Sequence, residues 1–253
     1  MPHSPSATDL IRHLDLTSLG EDDRPEDILR LCARAAAAPC PPAALCVYPE
    51  HIGTARRELD RLGLASVAVA TVVNFPEGGA DPARAARETR RALAAGGNEI
   101  DAVLPYRSLL AGDLDTFRRV ADACREACGS ALLKCILETG ELADAARIAE
   151  ASRIALAAGA DFIKTSTGKV PVNATQEAAA IMLDAIAGCG RPAGFKAAGG
   201  IRTPEQAMAY REQVIAALGE DAATPARFRI GASGLLDALV GEAGAVATAG
   251  GSY

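Results

Sequence analysis

The chain has 253 residues, 49% of them hydrophobic, and a formal net charge of −6. That length suffices for one large α/β domain, and no apolar stretch is long enough to span a membrane. An acidic balance without a basic run or an aromatic-interleaved patch argues against a nucleic-acid partner.

The N-terminus, MPHSPSATDLIRHLDL, lacks the basic start and apolar block of a secretory leader. Short apolar runs then recur at 10–16 (LIRHLDL), 43–49 (AALCVYP), 66–76 (SVAVATVVNFP) and 99–106 (EIDAVLPY). They continue at 131–137 (ALLKCIL), 161–166 (DFIKTS), 194–199 (GFKAAG) and 228–233 (FRIGAS). Between them, segments such as PARAARETRRALAAGG and DTFRRVADACREACGS place apolar residues at helical spacing. Strands alternating with helices pair in parallel through crossover connections. Eight such runs predict an α/β fold, a closed (β/α)8 TIM barrel with a short N-terminal helical extension, as a single domain over 1–253. The first run is also compatible with a helix end. The stretches LAAGGNEIDAV (93–103) and LAAGADFIKTS (156–166) echo one another, each passing from a helix end through glycine into a strand with one charge. The final GEAGAVATAGGSY (241–253) is too rich in Gly and Ala to pack firmly and is expected as a flexible tail.

The seven cysteines, an odd number with no CxxC pair, read as reduced thiols in the cytoplasm. Cys46 and Cys135 lie in predicted strands, where core packing is the simpler role.

Charge placement carries the chemistry. Only four lysines occur against twenty-two arginines, and Lys134, Lys164 and Lys196 sit inside apolar strand-like runs. Base composition of the genome accounts for many arginines but not for lysines where charge is least expected. A desolvated lysine can lose its proton and act as a nucleophile, whereas arginine cannot. Asp101, Lys134, Lys164 and Lys196 fall on four successive strand candidates, which places one carboxylate and three amines together near the barrel mouth. A self-satisfied ion-pair network is the alternative, but three cations against one anion do not balance. Burial and a second ammonium both favour a neutral amine, which can attack a carbonyl while Asp101 moves protons. The resulting iminium is itself an electron sink, so no cofactor or metal is needed. His3, His13 and His51 are scattered without ligand spacing.

The runs AAGGIR (197–202) and IGASG (230–234) end the last two strand candidates and lead into helical stretches. Backbone N–H groups exposed by glycine at a helix start suit an anion, and these two loops are where barrels most often hold phosphate.

HLDLTSL, LCVYP, ATVVNFP, EIDAVLPY, LLKCILETGEL, AGADFIKTSTGK, GFKAAGGIRT and GASGLL, in this order over about residues 10–240, resemble the deoxyribose-phosphate aldolase family. The resemblance implies a metal-free class I aldolase. It would cleave 2-deoxy-D-ribose 5-phosphate reversibly to acetaldehyde and D-glyceraldehyde 3-phosphate, in deoxynucleoside catabolism. It also implies Lys164 as the Schiff-base lysine, Lys196 as its charged neighbour and Asp101 as the proton-transfer carboxylate. Lys134 becomes a polar support that pairs with Asp101 or orients substrate hydroxyls. Asp15, Thr17 and Cys46 resemble pocket positions, and Thr167, Gly168, Lys169, Gly199, Gly200, Gly231 and Ser233 the phosphate end. Tyr253 resembles a terminal tyrosine that reaches the active site in some relatives; a frayed end is the alternative. Two positions depart from the pattern. Ala197 stands where many members have proline, and Gly234 replaces a common serine, which puts one hydroxyl contact to phosphate in question. Barrels of this sort commonly assemble as dimers or tetramers, so a homo-oligomer is expected. A different Schiff-base barrel acting on another phosphorylated sugar, and a non-catalytic phosphosugar-binding barrel, remain as alternatives.

Overall fold

Polar side chains one residue ahead of five of the helices start much of this fold. Asp81, Asp113, Asp144, Thr175 and Thr203 each accept a hydrogen bond from a backbone N–H of the first helical turn that would otherwise go unpaired. The computed structural model describes residues 7–249. In chain order it runs through α1 (Ala7–Ile11), β1 (Leu14–Ser18), α2 (Pro25–Ala37), β2 (Ala44–Val47), α3 (Ile52–Arg61) and β3 (Ala68–Val73). It continues through α4 (Pro82–Ala94), β4 (Glu99–Val103), α5 (Tyr106–Leu110), α6 (Leu114–Cys128), β5 (Leu132–Ile136), α7 (Thr139–Leu142) and α8 (Ala145–Ala157). The last elements are β6 (Phe162–Lys164), α9 (Gln176–Ala187), β7 (Gly194–Ala198), α10 (Pro204–Leu218), β8 (Phe228–Ala232) and α11 (Leu235–Ala249).

The eight strands pair in parallel in sequence order, and β8 closes onto β1, so the predicted TIM barrel is the fold. The run at 10–16 divides between two elements. Leu10 and Ile11 end α1, His13 turns the chain back through its N–H to the Leu10 carbonyl, and the strand begins at Leu14. Leu10 and Ile11 are as buried as a strand residue, but in a helix that packs against α10 and α11 rather than in the barrel wall. The two echoed helix ends behave alike: Gly96 and Gly159 have φ of 100° and 94°, which a Cβ would disfavour. Helix α11 runs through the first part of the stretch expected as a tail. Tyr253 lies outside the described residues.

Side chains alternate along each strand between the helices and the barrel interior. Leu133, Cys135, Ile163, Phe195, Phe228 and Ile230 belong to the large apolar core shared with the helices. Ala44, Cys46, Ala70 and Val72 form a separate small apolar cluster on β2 and β3. Charge occupies other interior positions: Asp15 on β1, Glu99 and Asp101 on β4, and Lys134, Lys164, Lys196 and Arg229 on β5 to β8.

Candidate active site

Seven charged side chains fill that part of the interior. Asp101 accepts from all three buried lysines: Lys134 at 2.9 Å on Oδ1, and Lys164 and Lys196 each at 2.8 Å on Oδ2. Lys134 donates as well to Glu99 at 2.5 Å and pairs with Asp15 at 3.2 Å. Lys196 donates to Asp15. Arg229 bridges Asp15 at 2.6 Å and Glu99 at 3.0 Å, with its guanidinium near the face of Phe162. The register explains this convergence. Asp101 is level with Lys134, and Lys164 with Lys196 and Arg229; between the two sets Lys134 is level with Phe162, so Lys164 stands two residues further along its strand, toward the barrel mouth. Gly231 leaves the space that Lys196 needs, since a Cβ there would stand 3.1 Å from the lysine Cε.

The expected balance of three cations against one anion is corrected. Glu99, Asp15 and Arg229 join the cluster, which sets four cations against three carboxylates. One positive charge is in excess, and the cluster becomes neutral when one lysine gives up its proton. Buried charge without a counter-charge is costly, so the lysine with the fewest carboxylates yields first. Lys134 has three carboxylate partners, Lys196 two and Lys164 only Asp101.

The electrostatics follow that count. Burial pulls the Lys164 amine below the ordinary lysine value, with Asp101 opposing and the Lys196 ammonium reinforcing the shift. Burial acts in the same sense on Lys196 and Lys134, but their carboxylates outweigh it. Asp101 and Asp15 hold Lys196 above the ordinary value. Asp101, Asp15 and Glu99 hold Lys134 well above it. Burial would raise the Asp101 carboxyl, yet the three ammonium groups hold it well below the usual carboxylate range.

A cavity of about 680 Å³ opens over the C-terminal ends of β1, β6, β7 and β8, within the ordinary size range of small-molecule sites. Of the charged cluster only Lys164 reaches its lining. Lys164 is 3% exposed, while Lys134 and Lys196 are fully buried. Thr17, Thr167, Gly168, Lys169, Gly199, Gly200, Gly231 and Ser233 stand around the same cavity. Gly199 is held at φ 86°, and a Cβ there would collide with the side chain of Asn173. Lys169 and Arg202 add cations to a wall whose one carboxylate among the described residues is Asp23, itself accepting from the Ser18 hydroxyl and the Gly20 N–H.

Asp101, Lys196, Lys134 and Asp15 thus lie beneath the cavity rather than in its wall, and Cys46 packs with Ala44, Ala70 and Val72 beside the charged cluster, near enough for its thiol to feel Asp101, Lys196 and Lys164. Residue-by-residue reading missed Glu99, Arg229, Arg202 and Glu138. Glu99 was detectable by alternation, since it precedes Asp101 by two on the same strand, whereas Arg229 comes level with Lys196 only when the strands pair. Arg202 stands two residues after the glycine run. Nothing in the sequence marked Glu138. Among the described residues no group of three or more His, Cys, Asp or Glu is placed to hold a metal ion.

The description DeoC/LacD family aldolase matches residues 10–240 of the chain. Among solved structures, a protein of Coccidioides immitis provisionally named deoxyribose-phosphate aldolase is 29% identical. That match covers 93% of this chain and 86% of the other, with a TM-score of 0.81. A deoxyribose phosphate aldolase of Aeropyrum pernix, described as having a unique tetrameric structure, is 25% identical over 92% of this chain and 91% of its own, with a TM-score of 0.75. A Toxoplasma gondii protein, also provisionally named deoxyribose-phosphate aldolase, shares the fold with a TM-score of 0.87 at 24% identity, covering 96% of each chain. With the family description spanning nearly the whole barrel and its charged interior, this chain belongs to the DeoC/LacD family of aldolases.

Proposed function

We propose that this aldolase is a carbon–carbon lyase cleaving 2-deoxy-D-ribose 5-phosphate to acetaldehyde and D-glyceraldehyde 3-phosphate through an imine on Lys164. The observation that carries the proposal is the distribution of carboxylates. Lys164 alone of three buried lysines has a single carboxylate partner, and it alone lines the cavity. Its neutral amine attacks the C1 carbonyl carbon of the open-chain sugar, and loss of one water from the carbinolamine leaves an iminium. Removal of the C3 hydroxyl proton then breaks the C2–C3 bond, releases the phosphorylated aldehyde and moves the electron pair into an enamine. The same proton returns to C2, and one water hydrolyses the iminium to acetaldehyde and free amine. Asp101 touches the Lys164 nitrogen and is the carboxylate through which protons pass; Lys196 keeps its charge and disfavours a second one on Lys164. The cavity mouth, with Lys169, Arg202, Ser233 and the glycines of the β7 and β8 loops, suits the phosphate.

Seven free cysteines accord with a reducing cytoplasm. The tetrameric Aeropyrum relative supports a homo-oligomer. No helix among the described residues is long and apolar enough to cross a membrane.

Borohydride reduction with acetaldehyde present tests the reading. The expected result is an ethyl adduct on Lys164, together with cleavage of the phosphorylated deoxysugar far faster than of the unphosphorylated one. Trapping on another lysine, or none, would overturn the mechanism. Trapping without cleavage of this sugar would point to a different phosphorylated substrate.

A further inference from the structure

One buried carboxylate near the cavity has no place in the proton chemistry. Glu138 follows β5, is fully buried, and its backbone is left-handed at φ 57° and ψ 59°. It forms no ion pair among the described residues, and burial pushes its carboxyl up against the pull of its hydrogen bonds from Thr167. A residue that combines backbone strain with a buried carboxylate lacking a salt-bridge partner, helped only by the Thr167 hydrogen bonds and the more distant Lys164 charge, persists only where its surroundings impose it. Here they do. The Leu137 N–H donates to the Lys164 carbonyl at 3.0 Å and the Thr139 N–H to the Thr165 carbonyl at 2.9 Å, bracketing Glu138. At Gly140 a Cβ would overlap the Val172 carbonyl oxygen, so the turn has no room to relax.

What the carboxylate holds is Thr167. The Thr167 hydroxyl donates to Glu138 Oε2 at 2.6 Å, and its N–H donates to Oε1 at 3.2 Å. The same hydroxyl oxygen accepts the Lys169 N–H at 3.0 Å. A hydroxyl has one hydrogen and two lone pairs. The hydrogen is committed to Glu138 and one lone pair to Lys169, so a single lone pair is left. Thr167 lines the cavity, and toward a ligand it can therefore only accept. A phosphate dianion has no hydrogen to offer it, whereas a sugar hydroxyl has. In the chain Thr167 stands between Lys164 and the Gly168–Lys169 backbone, which puts it beside the middle of a substrate running from imine to phosphate.

We infer that Glu138 is a positioning residue: it fixes Thr167 as a hydrogen-bond acceptor and thereby makes the cavity select acceptor aldehydes that carry an α-hydroxyl. The inference rests on the aldolase reading above and adds the source of its acceptor specificity.

The test is condensation of acetaldehyde with D-glyceraldehyde 3-phosphate or with 3-oxopropyl phosphate, which lacks that hydroxyl. The unaltered enzyme is expected to prefer the hydroxylated acceptor by about tenfold or more in kcat/KM. In Glu138→Gln the carboxamide keeps the shape but presents N–H to the Thr167 oxygen, which frees the hydroxyl hydrogen to turn. The preference should then fall to within about threefold, while acetaldehyde is still trapped on Lys164. Thr167→Val should lose the preference and Thr167→Ser should keep it, so the threonine pair decides the matter even if Glu138→Gln fails to fold. No preference in the unaltered enzyme, an unchanged preference in Glu138→Gln or Thr167→Val, or an equal fall in both rates would overturn the inference. The equal fall is what mere loop support would give. Failure of the unaltered enzyme to trap acetaldehyde would instead overturn the aldolase reading, a separate result.

Discussion

Lys134 and Lys164 are the same residue type, on adjacent strands, both out of water, and they are opposite in character. The floor of the charged layer, where Lys134 meets Glu99, Asp15 and Asp101 and Arg229 spans two of the same carboxylates, is closed. At the rim, Lys164 shares its one carboxylate with two other ammonium groups and faces the cavity. Burial alone therefore does not decide which amine loses its proton. The number of carboxylates each amine owns does, and the floor keeps its lysine charged with the same carboxylates that the rim lacks.

Breaking the rim should have the largest effect. Lys164→Arg is expected to lower turnover about ten-thousandfold or more, because a guanidinium forms no imine, while the melting curve by circular dichroism stays cooperative. Breaking the floor should act on stability instead. Arg229→Met leaves Asp15 and Glu99 short of a cation, and the urea midpoint should report a loss of about 3–5 kcal/mol.

Moving charge between the two levels sharpens the contrast. The pKa of Lys164 lies below the ordinary lysine value, so its neutral fraction, and with it the rate of imine formation, rises as pH climbs through that lowered value. Lys196→Leu removes the neighbouring cation and leaves Asp101 more fully to Lys164. The Lys164 pKa must then rise, and the ascending limb of the pH–rate profile must move to higher pH, with about a tenfold loss at neutral pH for each unit of displacement. An unmoved limb would mean that Lys196 does not tune Lys164. The smallest effect belongs to the apolar wall. Cys46→Ala, among Ala44, Ala70 and Val72, should cost about 1 kcal/mol of stability and change turnover by less than about threefold, measured by urea unfolding and steady-state rates.

Much of this was legible in order of appearance along the chain. Short apolar runs separated by segments of helical spacing gave the barrel. The run at 10–16 stayed open between strand and helix end because an apolar run records burial and not the element that buries it. The lysines stood out because charge inside an apolar run is rare. Glu99 and Arg229 did not, since arginine is common throughout this chain and Glu99 opens its strand at an edge that also reads as solvent-facing. Glu138 sits in ETGEL with nothing to set it apart from a surface turn, and only its burial and its bonds to Thr167 reveal it.

The sequence by itself determined the barrel, the inward placement of three lysines and one aspartate on neighbouring strands, and the glycine loops at the mouth, because alternation and turn chemistry are local. Which lysine is short of carboxylates was decided only by the closed sheet. Asp15 and Arg229 reach the other charges because β8 pairs with β1, and that contact joins residues far apart in the chain whose mutual distance no local pattern encodes.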